Sequence, residues 1–111
     1  MKTAVIGSRS LTNLDISQYI PADTTMIILG GAKGIDSLAE TYAYRNFIPV
    51  RIFLPDYEHY GKKAPLIRNR EIVRACDRLI AIRDGKSRGT QDTIHCARTA
   101  GKIVNIYYIK D

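Results

Sequence analysis

Five short runs dominated by apolar residues, Ala4 to Ile6, Met26 to Leu29, Val50 to Leu54, Leu79 to Ile82 and Ile103 to Ile109, punctuate the chain at turn signals. A strand with one solvated face alternates apolar and polar residues, whereas a strand covered on both faces reads as a continuous apolar run. The stretches between the runs carry helical periodicity. Strand and helix alternating in this way imply a parallel sheet with helices on both sides. The expected fold is therefore α/β, a Rossmann-like three-layer α/β/α domain whose five-stranded parallel sheet has the order 3-2-1-4-5.

The helix after the second run is the plainest, with Ile35, Leu38, Ala39, Tyr42 and Ala43 on one face at spacings of three and four. A second helix, about Ala64 to Cys76, places Leu66, Val73 and Cys76 on one stripe. The position completing that stripe is the polar Asn69, which needs a hydrogen-bond partner if buried. A third helix, about Thr90 to Ala100, presents Ile94, Ala97 and Ala100 and is stopped by Gly101. Leu14 to Tyr19 is a weaker helical candidate ended by Pro21, and 55–63 is expected as a loop carrying Tyr57, His59 and Tyr60.

With 111 residues the chain matches one domain, read as 1–111, with a core of ordinary size. The 17 basic against 11 acidic residues give a net charge of +6, which favours anionic partners without naming one. The basic residues are dispersed, which fits solvated surface better than a nucleic-acid track. Cys76 and Cys96 lack zinc-type spacing and are read as reduced thiols, so no metal and no cofactor is expected. The opening MKTAVIG runs straight into Ser8 and Arg9, which argues for a first strand, against a leader or membrane span, and for a cytoplasmic protein.

Ligands of open parallel sheets bind beyond the carboxyl ends of the strands, where strand order reverses. For the expected order that place lies between the first and fourth strands. The turns delivered there are Gly7-Ser8-Arg9-Ser10, Asp84-Gly85-Lys86-Ser87-Arg88-Gly89-Thr90 and, beside them, Gly30-Gly31-Ala32-Lys33-Gly34-Ile35-Asp36. Glycine admits a ligand close to the backbone, and a following helix offers unpaired N–H groups and a positive dipole end, so such turns suit an anion. Arg9, Lys33, Lys86 and Arg88 would add charge, and Ser8, Ser87 and Thr90 hydroxyl donors. Neither glycine turn matches GxGxxG or GxxxxGK[ST], which argues against a standard dinucleotide site and a Walker nucleotidase.

The acidic residues near these turns admit two readings each. Asp36 lies in the first turn of its helix, where a carboxylate serves as a cap as readily as a ligand contact. Asp84 ends the fourth strand at the expected pocket mouth, poised for a ribose hydroxyl or a base amine, or for its own turn. Asp92 and Glu71 fit helix-end or surface roles and remain, with Asp84, the catalytic candidates. His59 and His95 have no cysteine, serine or metal-ligand partner by spacing.

The GSRS turn, GGAKGID opening a helix, RNREIV followed by Cys76-Asp77, and DGKSRGTQDT together resemble the SLOG superfamily, which takes its name from the DNA-processing protein A (Smf) and Lonely Guy families. The similarity is to its small stand-alone YspA-type branch and runs over essentially the whole chain. It implies a domain that binds nucleotides or nucleotide-derived signals, with Arg9, Gly30, Gly31, Gly34, Asp36, Asn69, Gly89 and Thr90 as the matching positions. Lonely Guy phosphoribohydrolases carry PGGxGTxxE, whose final glutamate takes part in cleaving base from ribose 5-monophosphate; Thr93 stands at that position here.

The expected function is binding of a small phosphate-bearing nucleotide, a nucleoside monophosphate or ADP-ribose-like compound, through Gly7, Ser8, Arg9, Gly30, Gly31, Lys33, Gly34, Asp36, Asn69, Asp84, Ser87, Arg88, Gly89 and Thr90. The alternatives are an N-glycosidic hydrolase using Asp84, Asp92 or Glu71, and a single-strand nucleic-acid module stacking bases on Tyr57, Tyr60 or Tyr107. A site this small also suggests a homo-oligomer in which a neighbour completes it.

Overall fold

A computed structural model describes residues 1–85 and 88–109, with Arg88 described by its backbone alone. Five strands, β1 (Lys2–Gly7), β2 (Met26–Leu29), β3 (Val50–Ile52), β4 (Arg78–Arg83) and β5 (Ile103–Tyr108), form one sheet in the order β3-β2-β1-β4-β5. Every pairing is parallel. The helices are α1 (Ile35–Arg45), the single turn α2 (Tyr57–Tyr60), α3 (Ala64–Ala75) and α4 (Arg88–Thr99). The fold class and strand order match those read from the sequence.

Alternation along the central strands divides the core in two. Ala4, Ile6, Ile28, Leu79 and Ala81 face α3 and α4, packing on Ile72, Val73, Cys76, Ile94 and Ala97. Val5, Ile27, Leu29, Ile80 and Ile82 face the other way, against Ile35, Ala39 and Ala43 of α1 and against Ile16 and Ile20. Each central strand thus buries both faces, which explains its unbroken apolar run.

The edges depart from the expectation. β3 stops at Ile52, and Leu54, counted into that run by sequence, is 68% exposed. β5 alternates half-buried and exposed residues because a strand at the sheet edge loses cover on one side. Leu14 to Tyr19 supplies only a single 3-10 turn, Ile16–Tyr19, capped by Asp15, whose carboxylate accepts from the Ser17 backbone N–H. On α3, Leu66 is 43% exposed; Ile72 takes the core position, one helical turn beyond Asn69. The segment read as a loop after β3 contains α2, whose first turn is closed by Asp56 accepting from the His59 N–H at 3.2 Å.

Candidate functional site

Chain connections lead from β1 to β2 on one side and from β4 to β5 on the other, so the β1 and β4 ends open onto a gap no crossover fills. An open cleft of about 270 Å³ lies there. Its floor is Ile6, Gly7 and Gly30 at the strand ends; α3 contributes Pro65, Arg68, Asn69 and Ile72; α4 contributes Gly89, Thr90 and Thr93; Arg9, Ala32 and Asp36 complete the wall.

Close packing dictates the glycines that bring these parts together. A side chain on Gly7 would run into the carbonyl of Ile82 on the neighbouring strand and the side chain of Ile35, so β1 ends in glycine where α1 crosses it. Gly34 has φ +75°, and a Cβ there would strike the backbone of Ser8 and Arg9. The start of α1 is thereby pressed onto the turn after β1, and the Ile35 N–H donates to the Ser8 carbonyl at 3.4 Å.

Asp36 resolves the choice between cap and cleft residue by doing both. Its Oδ2 accepts from the Gly30 N–H at 3.1 Å and the Ala32 N–H at 3.2 Å, while the residue, 6% exposed, lines the cleft. Two amides of the GGAKG turn are thus taken by the chain's own carboxylate, and Oδ1 takes no hydrogen bond from the described residues. Burial raises the Asp36 pKa, opposed by these amides and by the positive charges of Arg68 and Arg9.

Arg68 is the residue that sequence reasoning missed. Its Nη1 donates to the Gly30 carbonyl at 2.6 Å and its Nε to the Asn69 Oδ1 at 2.9 Å. Burial holds its pKa below the usual arginine value, with the Asp36 charge pulling it back up, and a guanidinium stays cationic throughout. In sequence it passes for one of many dispersed surface arginines. The available signal was spacing: Pro65, Asn69 and Ile72, at intervals of four and three, mark the stripe of α3 toward the cleft, and Arg68 lies one turn beyond Pro65.

Asn69 is 8% exposed, as the interrupted apolar stripe suggested. The Arg68 donor fixes its amide orientation, since only the oxygen can accept. Its Nδ2 is then left facing a cleft wall without a hydrogen-bond partner among the described residues. Across the cleft, α4 begins at Arg88, two residues earlier than its periodicity indicated, so Gly89 and Thr90 stand in its first turn at the positive end of the dipole.

Of the residues read from sequence, Gly7, Arg9, Gly30, Asp36, Asn69, Gly89 and Thr90 come together around the cleft. Gly31, Lys33 and Gly34 do not line it. Ser8 and Asp84 join the two central turns instead. The Ser8 hydroxyl donates to Asp84 Oδ1 at 3.0 Å and accepts from the Asp84 N–H at 2.9 Å, and the Ser10 hydroxyl donates to Oδ2 at 2.6 Å. Glu71 and Asp92 are half-buried away from the lining. Ser87 and the Arg88 side chain lie outside the described residues. Among those described, no cluster of His, Cys, Asp and Glu could hold a metal, and no helix is long and apolar enough to cross a membrane.

The buried carboxylate gives a test of this geometry. The native state keeps the Asp36 proton to higher pH than the unfolded chain, whose value is near 3.8. Wild-type stability is therefore lost as pH rises through the folded-state pKa, a loss absent when the position cannot ionise. Asp36→Asn retains an oxygen to accept from Gly30 and Ala32. The melting temperature of wild type relative to Asp36→Asn should fall as pH rises above the unfolded-state value of 3.8; a pH-independent difference would contradict the buried placement.

The chain is 38% identical over 84 residues to the Gene 61 protein of Mycobacterium phage D29, an alignment covering 69% of this chain. The chain spans 64% of the length of that phage protein. No family model and no solved structure matches the chain.

Proposed function

We propose that the cleft binds a small phosphate-bearing nucleotide or nucleotide-derived signal, of the nucleoside monophosphate or ADP-ribose-like class. The observation that carries this is the convergence of donors. The guanidiniums of Arg9 and Arg68, the first turn of α4 at Gly89 and Thr90, and the unpartnered Nδ2 of Asn69 meet around one opening. Positive charge, a helix N-terminus and an amide donor in one place match an anion. The SLOG resemblance points the same way: of its matching positions, Arg9, Gly30, Asp36, Asn69, Gly89 and Thr90 line the cleft, while Gly31 and Gly34 do not.

The structure favours the α4 side of the cleft for the phosphate. Gly30 and Ala32 on the α1 side already donate to Asp36, so a phosphate bound to those amides would have to displace a carboxylate. A cleft of about 270 Å³ falls at the small end of ligand pockets, roughly 300–1,000 Å³, which suits one nucleotide better than two. Binding is preferred to N-glycosidic hydrolysis because Asp84, Asp92 and Glu71 are all absent from the lining. It is preferred to a single-strand track because the aromatic residues are dispersed. Tyr57 and Tyr60 follow β3, while Tyr107 is on β5 at the opposite sheet edge, packed at a tilt of 51° against Tyr19 with ring centroids 4.8 Å apart.

Titration calorimetry with the nucleoside 5′-monophosphates and ADP-ribose should show saturable binding at one site per chain, and an assay for released base should show none. Absence of binding across the panel would refute the proposal, and stoichiometric or faster base release would replace it with the hydrolase reading.

A further inference from the structure

We infer that Asp36 makes the cleft selective for ligands carrying free ribose hydroxyls, acting as a fixed hydrogen-bond acceptor for the sugar. This inference rests on the nucleotide reading above and adds to it the part of the ligand read by the one carboxylate of the lining.

Three observations lead there. Asp36 is held rigidly, since both amide donors converge on the same oxygen, Oδ2, and α1 carries its backbone. Its other oxygen, Oδ1, accepts nothing from the described residues although the residue is 94% removed from solvent, its exposure being 6%. At the cleft wall this oxygen keeps its lone pairs open to a donor that a ligand brings. The third observation is charge. Of the remaining polar lining, Arg9, Arg68 and the Asn69 Nδ2 are donors, beside the hydroxyls of Thr90 and Thr93, and these match a phosphate. A phosphate placed against Asp36 would meet like charge, so what sits there must be a donor covalently attached to that anion at a short distance. The hydroxyls of a ribose 5-phosphate unit satisfy this, and a carboxylate with one free oxygen accepts from them in the way dinucleotide-binding folds read a ribose.

The experiment compares adenosine and uridine 5′-monophosphates with their 2′,3′-dideoxy forms by calorimetry, on wild type and Asp36→Asn. Within each pair the base and phosphate are constant, so contacts to a base amine cancel. Hydrogen bonds to a charged group correspond to roughly tenfold or more in affinity, and wild type should prefer the ribose form by that factor. In Asp36→Asn, which keeps the turn closed through its remaining oxygen, the preference should shrink to about threefold or less. Affinity for the dideoxy forms should hold or rise as a negative charge leaves the cleft. Equal wild-type affinity for the two forms, or an undiminished preference in the variant, would overturn the role of Asp36 while leaving nucleotide binding standing. Failure of all four compounds to bind would overturn both.

Discussion

Gly34→Ala should destabilise the protein by about 3 kcal/mol or more, combining a left-handed backbone with overpacking. The backbone at Gly34 has φ +75°, and the new Cβ would meet the Arg9 carbonyl at 2.6 Å and the Arg9 Cα at 2.7 Å, besides the Ser8 carbonyl. These are backbone atoms that cannot swing aside. Relief requires lifting α1 from the turn after β1, which separates Ile35 from Val5, Ile80 and Ile82 in the core. Gly61→Ala is the control. Its φ is +57° but its Cβ meets nothing within 4 Å, so only the conformational term, about 1 kcal/mol, remains. Urea denaturation of the two variants separates the contributions, and equal losses would show that the contact with Ser8 and Arg9 does not matter.

The largest functional effect is expected at Arg68. Arg68→Ala removes a positive charge from the cleft, deprives the Gly30 carbonyl of its 2.6 Å donor and frees the Asn69 amide to turn. Affinity for a nucleoside monophosphate should fall by roughly a hundredfold, the scale of losing charge-assisted hydrogen bonds together with their alignment. Arg68→Lys keeps the charge, but one ammonium cannot reproduce the guanidinium fork that serves Gly30 and Asn69 at once, so about a tenfold loss should persist. Arg9 is exposed and its side chain makes no hydrogen bond or ion pair among the described residues, so Arg9→Ala should act mainly through a screened charge, with a loss that shrinks as salt is raised. Calorimetry on the three variants checks this ranking; a larger loss at Arg9 than at Arg68 would reverse the assignment.

The contrast between these two arginines shows what was legible in the sequence. Arg9 could be read because it stands in a turn at a strand end, and position along the chain fixes which end of a parallel sheet such a turn occupies. Arg68 could not, because its role depends on the crossing of α3 over the end of β2, a tertiary relation with no local signature. Asn69 falls between: its interruption of an apolar stripe announced burial, but the orientation of its amide follows from Arg68. The sheet order was legible because β1, β2 and β4 are covered on both faces and carry unbroken apolar runs. Edge positions were harder. Leu54 and Leu66 look like core residues in a linear pattern, yet are 68% and 43% exposed.

The carboxylates teach the same lesson from the opposite side. Asp84 stands at a strand end at the mouth of the expected pocket, which made it a natural ligand contact. The structure instead spends both its oxygens on Ser8 and Ser10, tying the turns after β1 and β4 together. Asp36, equally readable as a helix cap, is the one that also reaches the cleft. Caps and ligand contacts use the same chemistry, so residue type and spacing alone cannot separate them.

Amide chemical-shift mapping during titration with a nucleoside 5′-monophosphate tests the central claim most directly, because it reports where a ligand binds as well as whether it does. The account predicts saturating shifts at Gly7, Gly30, Asn69, Gly89 and Thr90, around the carboxyl ends of β1, β2 and β4, with β5 and the exposed face of α1 unchanged. Shifts centred on β5 and Tyr107 instead, or none at saturating ligand, would contradict it.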